Sequence, residues 1–328
     1  MPDAIVLSKL TKTFGDTVAV RDVDLVVPEG ALCGVIGPNG AGKTTMIRMI
    51  LAILFPDSGE LRVLGRRSAL EAKDRIGYLP EERGLYKKMR VGDFLVHIAR
   101  LKGVEGKDLP RVVEQWLERV GLGGTGRKRC EELSKGMQQK VQFVAAVLHR
   151  PDLLILDEPF SGLDPVNQRL LRDLVLEEHR RGATVLFSTH IMTHAEQLCD
   201  QVVMIHQGAK VLDDTIGAIR AGFDLGRIAF EPLDPSADVA ALRSVPGVAG
   251  LFRRGAAWEV ALEAGASPAA VIPRLAAAVP PSRIEIQRPT LEDIFVNIVA
   301  GRDAGEGDEG ARLRAAVSEG DTLQEVLR

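Results

Sequence analysis

Aromatic side chains are scarce, at 4% of the 328 residues. The hydrophobic interior therefore has to be aliphatic and closely packed rather than built on stacked rings. Cysteine is almost missing: Cys33, Cys130 and Cys199 stand apart, without metal-ligand spacing, and three thiols cannot all pair. That excludes a disulfide scaffold and a cysteine-held metal or iron–sulfur cluster, and leaves idle thiols in a reducing compartment. An excess of one charge is missing too, since the formal net charge is only −3, so no global attraction to nucleic acid is expected. No uncharged apolar run approaches the ~18 to 20 residues that cross a bilayer, and Met1-Pro2-Asp3 opens no basic, apolar leader. If the chain serves a membrane, the expectation is that it does so from the cytosolic side, through a partner.

What is present is 45% hydrophobic and 27% charged sequence, enough for one large α/β domain and a smaller one. Alternating segments between Ala4 and Val27, split by a turn at Phe14-Gly15-Asp16, read as short antiparallel strands. The runs "ALCGVIG" (from Ala31), "DLLILDE" (from Asp152), "ATVLFSTH" (from Ala183) and "QVVMIH" (from Gln201) are continuously apolar, as in strands buried on both faces of a parallel sheet. Between Val91 and Leu122 the pattern is helical, with Phe94, Leu95, Ile98 and Leu101 on one stripe and Val113, Trp116, Leu117 and Val120 on another. After about Leu225 the order becomes βαββαβ, with its first helix expected at Ser236 to Ser244, which is a ferredoxin-like arrangement. A last helix starts at Thr290, with Asp293 three residues on as a capping box.

Gly37-Pro38-Asn39-Gly40-Ala41-Gly42-Lys43-Thr44 matches the phosphate loop G-x-x-x-x-G-K-[ST], directly after a buried strand and before the helical run that continues from Thr45 to Leu54. Glycines let backbone N–H groups turn toward phosphate, the helix adds its positive end, Lys43 bridges the outer phosphates of ATP, and the Thr44 hydroxyl is placed for Mg²⁺. Asp157 and Glu158 end an apolar strand. Asp157 suits the Mg²⁺ shell and Glu158 the general base, with strand alternation expected to send them in different directions. His190 ends the next strand and is placed to hydrogen-bond the γ-phosphate and orient the water, whereas His97, His149, His179, His194 and His206 read as surface or packing residues.

Ser134 stands at the N-cap of an amphipathic helix in Leu133-Ser134-Lys135-Gly136-Met137. Lying just upstream of "LLILDEP" and "SGLD", it resembles the LSGGQ signature of the ATP-binding cassette (ABC) family, and the likeness covers about Ala4 to Gly217. The resemblance implies a P-loop NTPase fold over residues 1–222: a mainly parallel sheet with helices, an N-terminal antiparallel β subdomain, and a helical insert at about 88–150. A small α+β domain would follow at 225–300, and a disordered tail at 301–328. It also implies head-to-tail pairing of two cassettes, as a homodimer or with a related ATPase subunit. Ser134, Lys135, Gly136 and Met137 would then act in trans, with Ser161, Gly162, Leu163 and Asp164 as the dimer loop. A separate integral membrane permease would be the partner, placing the chain peripherally on the cytosolic face of the cell membrane.

By the same resemblance Phe14 stacks on adenine, the alternative being a core phenylalanine. Glu81 occupies the place of the family's loop glutamine, either as a metal-coupling carboxylate or as part of a solvated loop. Glu81, Lys135, Met137 and "RPTLEDIF" near the end are similar to type-2 exporter ATPases of the sodium-efflux, NatA-like group, which carry an extra C-terminal domain. That domain reads equally as a sensor or as a dimer-stabilising appendage. A soluble ABC ATPase working on ribosomes, DNA or assembly, and a module that binds ATP without turnover, are the competing readings.

Overall fold

The computed structural model describes residues 2–82, 84–222, 226–255 and 257–303; most of the expected tail, from residue 304 on, lies outside the described residues. Chain contacts define two compact units, Met1–Ile216 and Gly217–Arg328. The first runs β1 (Asp3–Phe14), β2 (Thr17–Pro28), β3 (Leu32–Ile36), α1 (Lys43–Ile50), β4 (Ser58–Val63), β5 (Ile76–Leu79), α2 (Val91–Leu101), α3 (Leu109–Arg119), α4 (Lys135–Val147), β6 (Leu153–Asp157), α5 (Pro165–Arg180), β7 (Thr184–Thr189), α6 (Met192–Leu198), β8 (Gln201–His206) and β9 (Ala209–Thr215).

Six strands form one sheet in the order β5-β6-β7-β3-β8-β9, parallel except for β9, which pairs antiparallel with β8. β3, β6 and β7 are buried at every position, which is why their sequences are unbroken apolar runs. Because the three are parallel, their C-terminal ends deliver Gly37, Glu158 and His190 to one edge, the edge at which open α/β sheets bind ligands. β2, β1 and β4 form a separate antiparallel sheet. Its Ile5, Leu7, Leu25 and Val63 share a core with Met46, Ile47 and Ile50 of α1, and the Arg21 N–H donates to the Gly208 carbonyl at 2.8 Å, joining β2 to the β8–β9 turn.

Two helices differ from the sequence pattern. α1 stops at Ile50 rather than running to Leu54, and Ala52 takes a left-handed conformation (φ 55°). Leu101, at the end of α2, is 60% exposed; its neighbour Lys102 turns inward instead, donating to the carbonyls of Lys73 (2.6 Å) and Ile76 (2.9 Å). Of the remaining stripe residues Phe94, Leu95, Val113, Leu117 and Val120 are buried, and Ile98 and Trp116 are half-buried.

A short helix, α7 (Ile216–Gly222), spans the division between the units. The second unit contains β10 (Arg227–Pro232), β11 (Val248–Arg254), β12 (Ala257–Leu262), α8 (Pro268–Ala278), β13 (Pro281–Gln287) and α9 (Leu291–Asp303). Its sheet order, β11-β12-β10-β13, all antiparallel, is the ferredoxin-like order. Ile228, Phe230, Leu251 and Val260 pack with Val271 and Leu275 of α8. The first helix of the βαββαβ pattern is shorter than expected, a single 3₁₀ segment at Val239–Ser244. Asp238 accepts from the Ala240 N–H and so takes the cap position, leaving six residues before the chain returns to extended geometry. The capping box of α9 is formed: the Asp293 N–H donates to Thr290 Oγ1 at 3.1 Å, and the Thr290 N–H to Asp293 Oδ2 at 2.9 Å.

Candidate nucleotide site

β3 ends in a loop that only glycine can form at two points. Gly37 has φ 151° and a Cβ there would lie 2.1 Å from the Ile205 carbonyl oxygen; Gly42 has φ 106° and a Cβ would lie 2.2 Å from the Ala19 carbonyl oxygen. The loop is thus threaded between β8 and β2. Asn39 and Gly40 are exposed, Pro38 and Thr45 are half-buried, and Ala41 is buried. α1 begins at Lys43 with no side-chain cap, so its first N–H groups and its dipole are available to an anion. Lys43 is buried; its Nζ donates to the carbonyls of Gly37 (2.7 Å) and Pro38 (3.0 Å) and lies 3.9 Å from Glu158 Oε1. Burial pushes the Lys43 pKa down, against the carboxylates of Glu158, Asp157 and Glu81, which push it up.

Asp157, at the end of β6, is fully buried. Its Oδ1 accepts from Thr44 Oγ1 (3.2 Å) and from Ser188 Oγ (2.5 Å), while Oδ2 has no partner among the described residues. An orphaned, buried carboxylate oxygen beside a threonine hydroxyl is costly unless something binds it, and an all-oxygen pair of this kind suits a small hard cation such as Mg²⁺.

Asp157 and Glu158 reach different partners, although Glu158 lies beyond the strand. β6 ends one residue earlier, and Glu158 adopts a left-handed backbone (φ 49°), so the turn, not the pleat, aims its side chain. Its N–H donates to the Ser188 carbonyl (3.3 Å) and to Ser188 Oγ (3.1 Å), and Oε1 receives His190 Nδ1 at 2.9 Å. The sheet therefore gathers Lys43, Thr44, Asp157, Glu158 and His190, which come from two strand ends and one helix start.

Ser134 caps α4, its Oγ accepting from the Met137 N–H at 3.3 Å, and both Ser134 and Lys135 are exposed. Gly136 is closely faced by Leu163: a Cβ there would sit 3.4 Å from its Cδ2. Among the described residues no hydrogen bond joins Ser134, Lys135 or Met137 to the phosphate loop. Ser161 and Gly162 are exposed, and Asp164 caps α5 through the N–H groups of Val166 and Asn167, both at 3.0 Å. Phe14 is 48% exposed with Lys12 Nζ 5.5 Å from its ring centre, which removes the core-phenylalanine alternative. Glu81 is exposed just beyond β5.

Four contributors were not picked out from the sequence. Besides Ser188, the buried face of α4 carries Gln139, Lys140 and Gln142. Gln139 donates to the Pro159 carbonyl (3.2 Å), Lys140 to Asn167 Oδ1 (2.9 Å) and Gln142 to the Glu82 carbonyl (3.3 Å). One helix thereby grips the turns behind Glu158, beside Asp164 and behind Glu81. On an amphipathic helix such polar residues are expected to face solvent, so the sequence carried no signal of their burial.

Residues 20–161 match the family model described as "ABC transporter", and residues 215–299 match "ATP-binding protein DrrA1-3-like, C-terminal domain". The chain is 48% identical over 219 residues to the uncharacterized ABC transporter ATP-binding protein YhaQ of Bacillus subtilis, covering 67% of this chain and 74% of that protein. It is 39% identical over 212 residues to the ABC transporter ATP-binding protein NatA of the same organism, covering 62% and 86%. A solved ATP-binding subunit of an ABC transporter superposes with a TM-score of 0.63 at 32% identity, covering 67% of this chain and 93% of that one. The chain belongs to the ABC transporter ATP-binding proteins, the ATP-binding and ATP-hydrolysing subunits of transporters.

Proposed function

We propose that Mg²⁺–ATP closes a head-to-tail pair of copies of this chain, that hydrolysis reopens the pair, and that a separate integral membrane permease converts the movement into export from the cytosolic face. The observation that carries this reading is the division of the phosphate-binding groups between two places on one chain. Lys43 and the glycine loop lie at one sheet edge, whereas Ser134 caps a second helix start that no hydrogen bond among the described residues ties to that loop. A second copy would supply Ser134, Lys135, Gly136 and Met137 to the γ-phosphate held by the first, with Ser161, Gly162, Leu163 and Asp164 along the seam.

In such a pair, backbone N–H groups of Gly37 to Thr45 would cradle the phosphates, and Lys43 would exchange the Gly37 and Pro38 carbonyls for phosphate oxygens. Mg²⁺, held by the Thr44 hydroxyl and the free Oδ2 of Asp157, would neutralise charge on the outer phosphates. Glu158 would take a proton from water as the water oxygen attacks the γ-phosphorus and ADP leaves with the bridging oxygen. His190 Nδ1–H donates to that carboxylate and fixes its direction, leaving Nε2 as an acceptor that would orient the attacking water. Phe14 would stack on adenine. Glu81 would keep the metal-coupling role of the loop it occupies, an assignment supported by its electrostatic reach to Lys43.

Within the family we assign the chain to the type-2, NatA-like branch. Glu81, Lys135, Met137, the C-terminal match and the likeness to NatA support that placement; cargo would be selected by the permease. Purifying the chain from native membranes under mild detergent tests the proposal: a polytopic membrane protein should co-purify and stimulate ATP turnover. Recovery with ribosomes or with water-soluble partners alone would overturn it.

A further inference from the structure

We propose that Ser188 is a positioning residue for hydrolysis, its buried hydroxyl setting the Asp157 carboxylate for the cation and the Glu158 backbone for the attacking water. β7 lies beside β6 with Ser188 directly opposite Asp157 in the parallel register, and Ser188 is fully buried. Its oxygen makes two contacts of opposite sense. It donates its single proton to Asp157 Oδ1 at 2.5 Å and accepts the Glu158 N–H at 3.1 Å. The first bond fixes the plane of the Asp157 carboxylate and leaves Oδ2 as its free oxygen. Thr44 Oγ1 also donates to Oδ1, at 3.2 Å; once that hydroxyl turns to a cation, Ser188 is the donor that still holds the carboxylate.

The second bond acts on Glu158. A side-chain-bearing residue resists left-handed geometry, yet Glu158 sits at φ 49°. The hydroxyl and the carbonyl of Ser188 both receive its N–H, at 3.1 and 3.3 Å. Valine suits a buried strand position at least as well as serine, so the fold alone does not call for a hydroxyl there. One side chain therefore links the orientation of both carboxylates, although it would touch neither nucleotide nor metal.

This inference rests on the proposed Mg²⁺–ATP site, and its test keeps the two apart. The full chain, as wild type, Ser188→Ala and Ser188→Thr, is titrated with ATP by isothermal calorimetry, in EDTA and again in Mg²⁺, and single-turnover hydrolysis is followed against Mg²⁺ concentration. Ser188→Ala should bind ATP within about two-fold of wild type in EDTA, but lose about ten-fold of the affinity gained on adding Mg²⁺ and a similar factor in rate. Ser188→Thr, which restores the hydroxyl on a strand that accepts β-branching, should recover both. An unchanged Mg²⁺ gain and rate in Ser188→Ala, or equal losses in EDTA and Mg²⁺, would overturn the proposal. Wild-type ATP binding that gains nothing from Mg²⁺ would instead overturn the metal site itself. Should Ser188→Ala not fold, Ser188→Cys, close in size and a much weaker hydrogen-bonding group, carries the same comparison.

Discussion

Replacing Glu158 by glutamine removes a carboxylate whose Oε1 lies 2.9 Å from His190 Nδ1 and 3.9 Å from Lys43 Nζ. The amide oxygen can still accept from His190, so the turn at Glu158 and its neighbours should stay in place. Two opposing electrostatic changes follow for ATP binding. Attraction to Lys43 is lost, which at ~4 Å and an effective dielectric near 20 is about 4 kcal/mol before desolvation, and repulsion of the incoming phosphates is lost with it. The two act at similar range and offset each other, so ATP affinity should be unchanged or tighter. Hydrolysis has no such offset: without the base the chemical step should slow by about 10² to 10⁴, or roughly 3 to 5 kcal/mol. Equilibrium binding of ATP together with rapid-quench single-turnover hydrolysis reads the two effects separately. A rate within about ten-fold of wild type would remove Glu158 from the base role. A loss of affinity as large as the loss of rate would reduce Glu158 to a positioning residue.

Other regions give independent expectations. His149 donates through Nε2 to the Ile76 carbonyl at 3.1 Å, and its buried Nδ1 has no partner among the described residues; burial first, then the nearby Lys102, pushes its pKa down to about 4 from 6.5. Below pH 6.5 the unfolded chain takes up a proton that the folded chain refuses, so stability falls as pH drops from 6.5 toward 4, by about 2 kcal/mol after allowance for partial solvent access. His149→Gln should flatten that loss in urea titrations across this range, and equal slopes for the two proteins would contradict it. Gly37→Ala should destabilise the fold by about 2 kcal/mol or more, since both its φ and the Ile205 carbonyl oppose a Cβ; an unchanged urea midpoint would show that the loop relaxes freely.

Much of this site was legible in the sequence because its chemistry is written in short, local runs. Gly37 to Thr44 needs no distant residue to be read as a phosphate loop, and the buried strands before Asp157 and His190 announce themselves by unbroken apolar runs. What escaped depends on partners far along the chain. Ser188 acts on residues some 30 positions earlier, and Gln142 reaches a carbonyl 60 positions away, so neither is visible until β6 meets β7 and α4 meets the turn after β5. The turn that aims Glu158 is hidden in the sequence for a related reason. Strand alternation holds only while the strand lasts, and β6 ends at Asp157. The short 3₁₀ segment at Val239–Ser244 was lengthened in the reading because Asp238, rather than Ser236, takes the cap.

The central claim, that one copy completes the site of another, is tested most directly by mixing two inactive variants. Lys43→Ala lacks its own phosphate grip but offers an intact Ser134, whereas Ser134→Glu keeps the grip and offers a repulsive signature. In a head-to-tail pair of the two, one composite site is whole. Mg²⁺-dependent ATP hydrolysis by the equimolar mixture should rise well above that of either variant alone. A mixture no more active than its components would contradict the trans arrangement, as would a Ser134→Glu protein that hydrolyses ATP at the wild-type rate.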